Sequence, residues 1–183
     1  MKHTISVLVE NHFGAFDRIA TLFSGKGFNL TSISIGETEI HDISRMTVVT
    51  EGDNQILDQI IKQLNRLIDT IKVVDLTAAY HVQRELALIK ISLSKGSMEQ
   101  VKNINDIFRG NIVDITNNSI TIEITGPPDK IDAAVNVLMP FGVIEMARSG
   151  IVALTRGEQT KKTIKNNSSE SIKKKSQLIK EPK

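Results

Sequence analysis

One succession of elements, met twice along the chain, restricts the fold more than any single motif does. A short β-rich run, Ile5 to Val9, leads through the turn-like Asn11-His12-Phe13-Gly14 into an apolar stripe at Phe16, Ile19, Ala20 and Phe23, spaced as on one face of a helix. Gly25-Lys26-Gly27 tolerates positive φ and ends that helix. Phe28 to Ile35 and Arg45 to Thr50 read as strands, with the polar Glu37 to Ser44 as their connection. Asp53 is an N-cap for a second helix, whose stripe runs Ile56, Leu57, Ile60, Ile61, Leu64, Leu67 and Ile68. Ile71 to Leu76 supplies a fourth strand and completes a β-α-β-β-α-β order.

The second half repeats the order with little sequence identity. Leu86 to Leu93 is a strand, and Ser97 with Gln100 makes a capping-box start for a helix through Val101, Ile104, Ile107 and Phe108. Asn111 to Thr116 and Ser119 to Thr125 flank Asn117-Asn118, a pair suited to a tight turn because Asn tolerates the left-handed region. Gly126-Pro127-Pro128-Asp129 opens a helix carrying Ile131, Val135 and Leu138; Pro140 stops it, and Val143 to Ala147 is the last strand. The chain is thus expected to be α+β, with two split β-α-β domains at 1–78 and 84–158 joined by a linker from Thr77 to Arg84.

Residues 159–183 lack a sustained apolar period and hold 8 Lys against 2 Glu, so they read as a disordered, solvated basic tail. That tail masks the sign of the rest: residues 1–158 keep 15 Lys and Arg against 19 Asp and Glu, although the whole chain is +2. An acidic folded part argues against a nucleic-acid surface, as does a chain with 1 Tyr, no Trp and no aromatics on its central strands. No apolar run reaches the roughly 18 residues that span a bilayer, and the first strand breaks into polar residues after five positions, which argues against secretion. Cys is absent, so disulfides, thiolate ligands and a cysteine nucleophile are excluded.

No catalytic or metal constellation is visible. His3, His12, His41 and His81 are scattered, none with the spacing that puts two ligands on one helix face, and each reads as a surface or loop residue. Gly25-x-Gly27 follows a helix instead of opening one, so it terminates a helix and cradles no phosphate. Glu37 and Glu39 share a solvent face.

The turn Asn11 to Phe16 carries more information. A strand feeds a helix there, leaving backbone N–H donors at the positive end of the helix dipole, a setting that suits a carboxylate. Gly14 removes a side chain that would block approach to the backbone, and Asn11 offers both a donor and an acceptor. The same residues also suit a plainer role, in which Asn11 caps the helix and Gly14 turns the chain, and the pattern alone leaves both readings open.

The stretches ISVLVENHFGAFDRIATLFSGKGFNLTSISIG, SRMTVVTEGD and QIIKQLNRLIDTIKVVDL together resemble the ACT domain of the acetolactate synthase (acetohydroxyacid synthase) small subunit. The likeness continues through RELALIKI, IFRGNIVDIT and Glu145-Met146-Ala147-Arg148-Ser149-Gly150, covering about residues 1–157. The resemblance implies an N-terminal ACT domain followed by a second ferredoxin-like, ACT-like domain, no catalytic residue and no metal or other cofactor on this chain. It also implies a large catalytic subunit as partner, bearing thiamine diphosphate, Mg and FAD, which the small subunit activates and renders inhibitable by valine or another branched-chain amino acid. On matching positions the effector would meet Asn11, Gly14, Ala15 and Phe16, and, across a homodimer of ACT domains, Asn29 and Leu30. His12-Phe13 is bulkier than the family's usual pair, Phe16 replaces a common Leu and Asp17 a frequent Ser. Nothing points to a membrane or nucleic acid, and the implied location is the cytoplasm, or the plastid stroma for an organelle-encoded chain. The alternative is a tandem-ACT amino-acid sensor serving another enzyme or transcription.

Overall fold

The computed structural model describes residues 1–93 and 98–157. Ser97, the expected capping-box residue, and the Lys-rich tail lie outside the described residues. The chain divides into two compact units, Met1–Val82 with the residues from Leu154 on, and Gln83–Ala153.

The first unit is built from β1 (Lys2–Glu10), α1 (Ala15–Lys26), β2 (Asn29–Glu37), β3 (Ile43–Glu51), α2 (Asn54–Leu64) and β4 (Thr70–Asp75). Its antiparallel sheet has the order β2-β3-β1-β4. Alternation along β1 turns Ile5, Val7 and Val9 toward the helices, where they meet Met46 and Val48 of β3 and Ile19, Phe23, Leu57, Ile60 and Leu64. Each such side chain removed from water contributes about 1.5–3 kcal/mol before the cost of ordering. His3 shares this parity and is buried, its Nε2 3.1 Å from the Gly52 carbonyl, which corrects the expectation of a surface or loop residue.

Gly27, at φ 67, ends α1, and Asp53 caps α2 by accepting the Ile56 N–H at 2.8 Å, both as the sequence requires. Two details differ. Phe16 is 44% exposed and Ala15 takes its place in the core, because α1 starts one residue before it. The α2 stripe ends at Leu64: Asn65 spends its side-chain amide on the Ile61 carbonyl at 2.9 Å and Thr70 N–H bonds Leu67, so a turn takes over and Ile68 lies exposed.

The chain then continues through β5 (His81–Ser92), α3 (Met98–Ile107), β6 (Asn111–Ile115), β7 (Ser119–Gly126), α4 (Pro128–Leu138), a 3-10 turn at Met139–Phe141, β8 (Val143–Arg148) and β9 (Val152–Thr155), which between Gln83 and Ala153 make up the second unit. The sheet order is β6-β7-β5-β8, with β9 also pairing β5. Ala87, Ile89, Ile91, Ile120, Ile122 and Ile124 pack against Val101, Ile131, Ala134 and Leu138. Both units therefore have the ferredoxin-like order.

The expected linker is shorter than its sequence suggested, since β5 begins at His81, and β9 is a strand the sequence pattern did not announce. Ile107 is exposed at the end of α3. The β6–β7 turn does not use left-handed Asn either: among the described residues Arg109 is the only non-glycine with positive φ. Thr116 closes the turn instead, its Oγ1 accepting the Ser119 N–H at 3.0 Å while its own N–H bonds the Ser119 carbonyl at 2.8 Å.

Candidate functional site

The turn between β1 and α1 is anchored by backbone bonds at its entry. Glu10 N–H donates to the Asp69 carbonyl at 2.9 Å and Asn11 N–H to the Asp42 carbonyl at 2.8 Å. Ala15 N–H then bonds the His12 carbonyl at 3.3 Å, and Gly14, at φ 86, is the N-cap of α1 with no side-chain cap. The Phe16 and Asp17 N–H groups come before the first intrahelical bond, that of Arg18 N–H to the Gly14 carbonyl, so the positive end of α1 lies beside a residue without a Cβ. Phe13 projects into solvent at 99% exposure, while Ala15 is buried beneath the turn.

Asn11 does not cap the helix. Its Nδ2 donates to Glu37 Oε1 at 3.2 Å and to the His41 carbonyl at 3.3 Å, linking the turn to the far end of β2. Asn11, Gly14, Ala15 and Phe16 are therefore brought together, whereas Asn29 and Leu30 are not. Asn29 pairs with Glu51 at one end of β3, and Glu10, the neighbour of Asn11, pairs with Ile43 at the other. At ~3.3 Å per residue the separation along the strand is about 26 Å. Asn29 and Leu30 are exposed on the edge strand β2, with the Asn29 carbonyl held by Thr50 Oγ1 at 2.6 Å.

Sequence spacing missed an ionic cluster behind the turn. Asp69, whose side chain is 6% accessible, lies 2.9 Å through Oδ1 from His12 Nε2 and 2.8 Å through Oδ2 from Arg18 Nε. The Arg18 contact is an ion pair without hydrogen-bond alignment. Glu10 Oε2 is 3.6 Å from the same His12 nitrogen. The His12 pKa is raised, chiefly because its Nδ1 faces the Phe13 carbonyl at 3.0 Å; desolvation opposes this, and Asp69 and Glu10 add to it. Glu10, His12 and Asp69 are grouped closely enough to suggest cation ligands. The Arg18 guanidinium already supplies positive charge to Asp69, so the arrangement is that of an ion-pair cluster.

The Glu145-to-Gly150 motif serves the scaffold of the second unit. Arg148 grips buried Glu85 with two bonds, at 2.8 and 2.6 Å, and reaches Asp132 of α4 at 2.8 Å. These contacts, led by Glu85, raise its already high pKa. Ser149 Oγ accepts the Leu86 N–H at 3.0 Å.

Residues 5–72 match the family described as AHAS small subunit-like ACT domain, and residues 84–157 match that described as small subunit of acetolactate synthase. The acetolactate synthase small subunit of Aquifex aeolicus is 51% identical over 85% of this chain and 81% of that protein. A probable acetolactate synthase small subunit from Archaeoglobus fulgidus is 46% identical over 87% of this chain and 99% of that protein. The crystal structure of the small subunit from Thermotoga maritima superposes with a TM-score of 0.79, at 38% identity, over 86% of this chain and 99% of that one. The match over the second unit decides against a tandem-ACT sensor of another pathway, and the chain belongs to the family of small, regulatory subunits of acetolactate synthase.

Proposed function

We propose that this chain binds valine, or a related branched-chain amino acid, between two copies of its ACT domain and transmits that binding to a large catalytic subunit, which it also activates. The observation that carries the reading is the division of the site between opposite ends of one edge strand. Asn11 is tied to Glu37 at the end of β2, and Asn29 stands at its start. A second copy laid antiparallel along β2 brings its Asn29 and Leu30 to the first copy's Asn11 and Gly14, which one copy cannot do for itself. The α1 amides and dipole would take the effector carboxylate. The Asn11 oxygen, which no described residue bonds, would accept from the ammonium.

Chemistry is left to the partner, which would carry thiamine diphosphate, Mg and FAD. The expected location follows that partner: the cytoplasm, or the plastid stroma for an organelle-encoded chain. Among the described residues no helix is long and apolar enough to cross a membrane. The direct test is thermal unfolding of the full chain against each amino acid, together with reconstitution with a catalytic subunit. A ligand at a hundred times its Kd adds about 2.7 kcal/mol if it binds only the native state. A shift confined to valine, leucine or isoleucine, with inhibition of the reconstituted enzyme by the same ligand, is the expected outcome. Inhibition that persists in Asn11→Ala at unchanged affinity would place the site elsewhere.

A further inference from the structure

Building on this effector reading, we propose that His12, Asp69 and Arg18 form a proton-dependent latch that positions the effector turn, so that amino-acid binding at Asn11 and Gly14 is linked to protonation of His12. Gly14 is the softest point of the turn, left-handed and without a side chain or a cap. Asp69 belongs to the segment before β4, far away in sequence, and grips the turn on both sides of that point. Its carboxylate meets His12 two residues before Gly14 and Arg18 in the first turn of α1, while its carbonyl holds Glu10 N–H. One buried carboxylate thus adds a side-chain hold on both flanks to the backbone bonds that anchor the turn at Glu10 and Asn11.

The proton enters through the two faces of the imidazole. Nδ1 lies 3.0 Å from the Phe13 carbonyl and Nε2 2.9 Å from Asp69 Oδ1, and both partners only accept. A neutral imidazole has a single N–H, so only the imidazolium makes both bonds. The charged groups facing it are Glu10 from β1, Asp69 from the segment before β4 and, across Asp69, Arg18 from α1. Glu37 and His41, 3.6 Å apart, lie beyond Asn11. With His12 protonated, two cations, His12 and Arg18, face the buried Asp69 carboxylate; loss of the proton removes one of these positive charges beside the place proposed for the effector carboxylate. Because the folded pKa is raised, the latch is complete below the ordinary imidazole value near 6.5 and is lost as pH rises through the raised value. Binding should therefore weaken with rising pH. His12 is a positioning residue and need not touch the ligand.

The test uses the full chain with valine, leucine and isoleucine as probes, titrated calorimetrically between about pH 5.5 and 8.5, with the imidazole resonances followed by NMR without ligand. The expected affinity falls about tenfold from the acidic to the basic plateau, the worth of one charge-assisted hydrogen bond. This slope disappears in His12→Gln and survives in His41→Gln. The His12 resonance titrates above the ordinary imidazole value and moves toward it in Asp69→Asn. Binding flat with pH in the wild type, or a slope unchanged by His12→Gln, overturns the latch while leaving the sensor standing. No response to any of the three at any pH overturns both. Should Asp69→Asn fail to fold, the wild-type resonance decides alone, since a His12 titrating at or below the ordinary value sinks the proposal.

Discussion

Two helices of the first unit begin in opposite ways. α2 is closed by its own chain: the Asp53 carboxylate takes the Ile56 N–H and adds negative charge to the positive end of the helix. α1 begins on Gly14, which has nothing to offer, and is steadied instead by Asp69 from the other side of the domain. In the second unit α4 takes a third course, opening on Pro127 and Pro128, which carry no N–H to satisfy. A helix start left open by its own sequence and steadied from a distance is the one we propose for the effector carboxylate.

The contrast can be broken most forcefully at Gly14. Gly14→Asp forces a side chain into φ 86 and puts a carboxylate at the place proposed for the effector's own, with its Cβ 3.8 Å from Arg18 Nη2. Effector affinity is expected to fall at least about a hundredfold, ~2.8 kcal/mol, by calorimetry. A wild-type isotherm for this variant would mean that α1's open start is no binding site. Next comes Asn11→Ala, which removes both the tie to Glu37 and the proposed acceptor for the ammonium; a loss of about tenfold or more is expected from the same measurement. Asp53→Ala probes the closed start, and chemical denaturation should show about 1 kcal/mol less stability with effector affinity untouched. Any loss of affinity there would show that the two starts are not independent. Pro128→Ala should register least, within about 0.5 kcal/mol, because the one donor it restores lies in the first turn of α4, where an N–H needs no intrahelical partner.

How much of this could be anticipated from residue order depends on the range of the interaction. Gly27 and Asp53 act on their nearest neighbours, and the alternation of Ile5, Val7 and Val9 is a local period, so helix ends and sheet faces were legible. The turn at Asn11 to Gly14 was legible as a feature, but the role of Asn11 was not, because its partner Glu37 is reached through the sheet. Asp69 gives no local sign of its task, lying just beyond Leu67 and Ile68 in what looks like a continuing helical stripe. The helix stops earlier because Asn65 turns its side chain back on the backbone, and that stop frees Asp69 to point into the cluster. Thr116 likewise took a turn that Asn117 and Asn118 advertised, since its hydroxyl could satisfy the turn's N–H groups without any left-handed residue.

The placing of β1 in the middle of its sheet has a consequence for how the chain reaches this state. β2 and β3 are joined by a short connection, with Glu37 opposite Ser44, so they can pair at little cost in loop closure. β1 pairs with β3 from Glu10↔Ile43 outward and with β4 as far as Ile5↔Asp75, so the first strand made must wait for much of the domain. Contacts that close the shortest loops form at the least entropic cost. The edge proposed to receive a second copy thus rests on local pairs, while the turn and its Asp69 anchor close the longer loop between the two ends of the domain and carry the larger entropic cost.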